Sequence, residues 1–141
     1  MPKLMKIPEA ASLALHSMAL LADSARGPTS ARELALRLDA SEAHLAKVMQ
    51  RLEAGGLVKS TRGPKGGYVL SRPSASITLK EVYELVEGPI SPTKCLLETP
   101  ICNGGACAFG RLLEQLDRRL RRYLETTPLS RLAIHKEAKH A

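Results

Sequence analysis

Residues 30–72 read SARELALRLDASEAHLAKVMQRLEAGGLVKSTRGPKGGYVLSR, and this stretch decides the fold. Ser30-Ala31-Arg32-Glu33 has the form of a capping box, a hydroxyl side chain followed three residues later by a glutamate. It opens a short helix with Leu34, Ala35 and Leu38 on one face. Asp39-Ala40 makes a tight connection, and Ser41 caps a further helix over about 42–54. Leu45, Val48, Met49 and Leu52 recur there at spacings of three and four, so that stripe belongs to the core. Gly55-Gly56 supplies a left-handed stop. The period then changes: LVKS at 57–60 and YVLS at 68–71 read as two short strands, joined by the glycine-rich tip TRGPKGG.

Working outward, residues 9 to about 25 are rich in Ala and Leu, follow Pro8 and are stopped by Arg26-Gly27-Pro28, which predicts a first helix. Downstream, Thr78-Leu79-Lys80-Glu81 is a second capping box; the helix LKEVYELVE follows it and ends at Gly88-Pro89. A loop of about 20 residues then carries Cys95, Cys102 and Cys107. From about Cys107 to Glu125 the pattern is a long amphipathic helix with Leu112, Leu113, Leu116, Leu120 and Leu124 on one side, and Thr127-Pro128 starts a last turn. Three helices followed by a hairpin predict a winged helix-turn-helix, mainly α with a small β-hairpin wing and a long C-terminal helix. The chain divides into a winged helix-turn-helix domain (1–72), a segment of connecting helix, cysteine loop and long helix (73–132), and a flexible polar tail (133–141).

The charge balance gives this order a meaning. In 141 residues, 21 Lys and Arg face 14 Asp and Glu, a net charge of +7 that points to an anionic partner. Between Glu42 and Arg72 six cations face only Glu42 and Glu53, so +4 of that excess lies on the helix-turn-helix and wing. With one Phe, three Tyr and no Trp, stacking on unpaired bases is disfavoured, leaving double-stranded DNA as the expected ligand. The third helix would enter the major groove and expose Glu42, Ala43, His44, Ala46, Lys47 and Arg51 between its core positions. The candidate DNA contacts are Ser41, His44, Lys47 and Arg51, with Arg62 and Lys65 reaching phosphates or the minor groove from the wing tip. No apolar run matches a membrane span and MPKLMKIPEAA does not read as a signal peptide, so a cytoplasmic protein without a membrane partner is expected.

Three cysteines inside 13 residues, spaced Cys95-x6-Cys102-x4-Cys107, do not make an internal disulfide framework. Thiolates are soft ligands for iron–sulfur clusters, zinc or copper(I). The absence of a close C-x2-C pair favours a cluster over a structural zinc ion. A fourth ligand must come from elsewhere. Glu9, Ser12 and His16 share one stripe of the first helix, offering the imidazole of His16 or the carboxylate of Glu9; a water, a small thiol or Glu98 also fits. A second reading drops the cluster and makes the cysteines a thiol-redox sensor that forms disulfides on oxidation. An enzyme is excluded by the lack of a phosphate-cradling loop, a nucleophile elbow or paired carboxylates.

Across about residues 5–132 the chain resembles the IscR/NsrR family of iron–sulfur winged-helix repressors. The matching stretches are MALLA, HLAKVMQRLEAGGLVKSTRGPKGGYVLSR, ITLKEVYELVEGP, the cysteine loop and YLETTPLSRLA, with RGPKGGY the most specific. The resemblance implies a homodimer joined by the long helix through Leu112, Leu116 and Leu120, making it a dimerisation helix. It implies binding to an imperfect palindrome, one half-site per subunit. It also implies a 2Fe–2S or 4Fe–4S cluster, sensing nitric oxide, redox state or iron–sulfur status, whose fourth ligand comes from the other subunit's first helix. Ser12 stands where nitric-oxide-sensing members place a carboxylate, and His16 where another branch uses a histidine. The first cysteine gap is longer and the second shorter than in the commonest members. Because some members contact enzymes of sulfur metabolism, a protein-interaction subunit is a further alternative.

Overall fold

Fourteen residues, Glu9–Ala22, form α1, and its buried residues (Ala11, Leu13, Ala14, Met18 and Leu21 among them) spread around the helix instead of along one stripe. That is the pattern of a helix enclosed on several sides. α1 packs against α2 (Ala31–Leu38), α3 (Glu42–Ala54) and α4 (Leu79–Glu87), and also meets the second strand of the wing and the closing 3-10 turn Leu129–Leu132. The computed structural model describes residues 6–23, 27–102 and 107–132. α1 ends at Ala22, with Asp23 already non-helical, short of the expected 25; Arg26 of the expected stop, the loop glycines Gly104 and Gly105 and the tail 133–141 lie outside the described residues.

Local chemistry sets the element boundaries. Ser30 Oγ accepts the Glu33 N–H at 3.1 Å, one half of the expected box. Asp39 takes the left-handed conformation at φ 51 and turns the chain toward α3. Ser41 Oγ accepts the His44 N–H at 3.3 Å, and α3 buries Leu45, Val48, Met49 and Leu52 as the periodicity requires. Burying each of these large apolar side chains contributes about 2 kcal/mol, which holds α3 firmly on the core. The stop after α3 is left-handed only at Gly56 (φ 78), because Gly55 keeps a helical φ of −80. Gly55 is needed for closeness instead, since a Cβ there would strike the side chain of Leu85 on α4.

The wing pairs β1 (Val58–Thr61) with β2 (Gly67–Leu70) in antiparallel register, Val58 opposite Leu70 and Thr61 opposite Gly67. Each strand is displaced by one residue from the expected 57–60 and 68–71. On the far side of β2, the backbone of Thr29, just before α2, exchanges hydrogen bonds of 3.1 and 2.8 Å with Tyr68 and extends the ladder. Gly67, at φ 156, lies so close to Thr29 that a Cβ would collide with its backbone carbonyl.

The second half is stitched back to the first. Thr78 and Glu81 form a complete capping box at α4. Leu79 N–H donates to Thr127 at 3.1 Å and Leu129 N–H to Ile77 at 2.7 Å, so the C-terminal end of α5 (Gly110–Thr126) is anchored beside the start of α4. α5 starts at Gly110, later than expected, leaving Cys107 in the preceding loop. Its leucines do not act as one set. Leu124 is buried in the chain's own core and Leu113 is half-buried, whereas Leu112, Leu116 and Leu120 are exposed alongside Phe109 and Tyr123.

Candidate DNA interface and cysteine loop

The expected contact residues of α3 differ in their freedom. Ser41 and Lys47 are exposed; the Ser41 oxygen caps the helix, and its proton remains available to a phosphate. His44 and Ala46 are half-buried, not exposed, because α1 packs against α3; His44 Nδ1 sits 3.8 Å from Glu9 Oε1. The Arg51 guanidinium donates to the Val86 carbonyl at 2.9 Å, at the end of α4, and keeps its other N–H groups for a second partner. Lys47, Lys59, Arg62 and Lys65 are exposed and have no carboxylate partner among the described residues. Cations left unpaired along α3 and the wing give this face a positive potential suited to phosphates.

The three thiols are free; Cys95 is half-buried, and Cys102 and Cys107 are exposed. The Leu97 N–H donates to Cys95 Sγ at 3.4 Å. The base of the loop is fastened to α5 by residues that the sequence reading passed over. Asp117 Oδ1 accepts the Thr93 N–H at 3.2 Å, and its Oδ2 pairs with Arg121 at 3.0 Å. Arg121 also donates to the Ile90 carbonyl at 3.3 Å. The sequence signal was the i,i+4 spacing of Asp117 and Arg121, which marks a helix pair but not its reach into the loop. A cleft of about 240 Å³ opens beside this clasp, with Ile7, Leu15, Tyr83, Ile90 and Leu120 in its walls.

Of the fourth-ligand candidates, His16 is exposed and its Nδ1 lies 2.6 Å from the Ser12 carbonyl oxygen. That oxygen only accepts, so Nδ1 is the donor; in the neutral ring this tautomer has its lone pair on Nε2, the arrangement typical of a metal-ligating imidazole. Glu9 faces His44, and Glu98 is exposed on the loop. Among the described residues no three His, Cys, Asp or Glu side chains converge as a metal site within the single chain. The donor chemistry nevertheless fits a cluster: three free thiols on one loop, one already accepting an N–H, and an imidazole with a free ring nitrogen on α1. Among the described residues no helix is long and apolar enough to cross a membrane.

A helix-turn-helix with a cationic hairpin wing, capped by a long helix with an exposed leucine stripe, defines a winged-helix DNA-binding transcription regulator, not an enzyme. The chain belongs to the Rrf2 family, described as an iron-dependent transcriptional regulator, whose profile matches residues 7–135. It is 35% identical over 126 residues to an HTH-type transcriptional regulator of Haemophilus influenzae, covering 89% of this chain and 83% of that one. It is 31% identical over 115 residues to the HTH-type transcriptional regulator IscR of Klebsiella pneumoniae, covering 82% and 71%. Among solved structures it is similar to CymR, the global cysteine regulator of B. subtilis, with a TM-score of 0.75 and 32% identity over 92% of this chain and 97% of that one.

Proposed function

We propose that the protein is a homodimeric, cytoplasmic transcription repressor whose affinity for a palindromic DNA site is switched by an iron–sulfur cluster held on Cys95, Cys102 and Cys107. His16 of the partner subunit completes the ligand set, with Glu9 as the alternative. The observation that carries this reading is the clasp: a loop with three free thiols is tied at its base, through Asp117 and Arg121, to the helix that exposes Leu112, Leu116 and Leu120. A bound cluster supplies redox- and nitric-oxide-sensitive iron–sulfide bonds.

The chain's own residues do the rest. The cysteines order the loop, Asp117 and Arg121 pass its position to α5, and α5 sets the separation of the two α3 helices. That separation must match half-sites one helical turn, or a multiple of it, apart. Release of the loop shifts the population toward a dimer that fits DNA badly. The test is iron and sulfide analysis of protein purified without oxygen, with DNA titrations of the loaded and stripped forms at fixed salt. Loaded protein is expected to be coloured, to lose its cluster on His16→Ala more than on Glu9→Ala, and to differ from stripped protein in affinity. Equal affinities sink the switch.

A second reading is favoured by the exposure and separation of the thiols and by the likeness to CymR as well as IscR. Here the cysteines act as a cluster-free thiol-redox sensor. Protein that stays colourless after reconstitution, with DNA binding that responds to thiol oxidants, selects it.

A further inference from the structure

Glu53 is one of only two carboxylates between residues 42 and 72, and on charge alone it opposes a polyanion. Its surroundings give it a different task. From the last turn of α3, its Oε1 accepts the Ser60 hydroxyl at 2.7 Å and the Ser60 N–H at 3.3 Å. Ser60 lies in β1 directly opposite Tyr68, the residue that also bridges to Thr29. The Tyr68 phenol is pushed above its ordinary range, first by burial and then by the Glu53 charge. One side chain therefore joins the end of the recognition helix to the strand leading to Arg62 and Lys65.

The backbone between these two points turns at Gly55 and Gly56, Gly56 in the left-handed region at φ 78, and the turn is closed by the Leu57 N–H donating to the Leu52 carbonyl at 3.0 Å. Packing of Leu57 and Val58 fixes the root of β1, but Lys59, Ser60 and Thr61 are exposed and take no support from the core. Without a brace across the joint, the tip cations meet a phosphate in only a fraction of conformers, and affinity falls by that fraction.

We infer that Glu53 is a positioning residue for DNA binding, holding the wing at a fixed angle to α3, so that its removal weakens binding although it removes a negative charge from the DNA face. Glu42, the other carboxylate of the segment, has no side-chain hydrogen bond or ion pair among the described residues and serves as the electrostatic control.

The test uses the full chain, purified without oxygen, and duplexes that the unaltered protein selects from a random-sequence pool, titrated at several salt concentrations. Glu53→Ala is expected to bind about 10-fold more weakly, as for a bound geometry populated about a tenth of the time. Glu53→Gln, which keeps an acceptor oxygen, stays within about 3-fold of the unaltered protein, and Glu42→Ala binds as well or better. Ser60→Ala weakens binding, and adding it to Glu53→Ala brings no further loss. Footprints of Glu53→Ala lose protection on the wing side and keep it under α3. If Glu53→Ala strengthens binding as Glu42→Ala does, or if the losses from Glu53→Ala and Ser60→Ala simply add, the inference is overturned. Should Glu53→Ala fail to fold, Ser60→Ala decides alone, and unchanged affinity and footprint in that variant overturn it.

Discussion

Arg62 and Lys65 stand on a tip whose shape is owed to its neighbours: Gly66 and Gly67 are packed against the backbones of Thr61 and Thr29 with no room for a Cβ. Among the described residues these cations touch no carboxylate, which leaves them available to phosphates. Lys65→Ala should therefore weaken DNA binding about equally for selected and unrelated sequences and lower the salt slope by about 1, as read from titrations at several salt concentrations. At this scale the sequence names candidates where residue type alone suggests the chemistry, as with the cysteines and the wing cations. It says less of His44 and Arg51, whose burial and partners come from α1 and α4, far away in the chain. Glu53 was counted only as a charge, because its hydrogen bonds to Ser60 exist only once the hairpin has folded back on α3.

Among the elements, α4 has the best-defined start. Burial raises the Glu81 carboxyl, but hydrogen bonds from the Thr78 backbone and Arg72, with the Arg72 charge, outweigh it and hold the group below its ordinary range. A carboxyl depressed in the folded state stabilises the fold above its unfolded pKa, and that stability is lost as pH falls through the depressed value. Thermal unfolding of the unaltered protein should therefore drop on the acid side of the ordinary carboxylate range, and Glu81→Gln should lack that part of the drop. Thr78→Ala should destabilise the fold by about 1 kcal/mol at neutral pH. The caps of α2, α3 and α4 were legible because each is a local pattern of a few residues. The Thr29–Tyr68 bridge and the clasp of Asp117 and Arg121 were not, since each pairs residues distant in sequence. The leucine run of α5 read as one face, yet the fold divides it between Leu124 in the core and Leu116 on the outside.

For the whole molecule, the exposed stripe of α5 calls for a second copy. Leu116→Glu should yield a monomer in sedimentation, and loss of the paired reading heads should weaken binding to a full palindrome about 100-fold or more while leaving half-site binding nearly unchanged. Thr29 ties the wing to the start of α2 and Glu53 ties it to the end of α3, so in the proposed dimer each reading head would move as one piece and spacing would be adjusted between subunits. In the proposed switch α5 would make that adjustment as a cantilever. Its C-terminal root is clamped by Leu124, Leu129 and the pairing of Lys80 with Glu125, while its far end carries the cysteine loop. Over a length of about 25 Å, a tilt of roughly 5° at the root swings the tip by about 2 Å. A few thiols at the tip of such a beam therefore work with mechanical advantage, and a small push on the loop becomes leverage at the root.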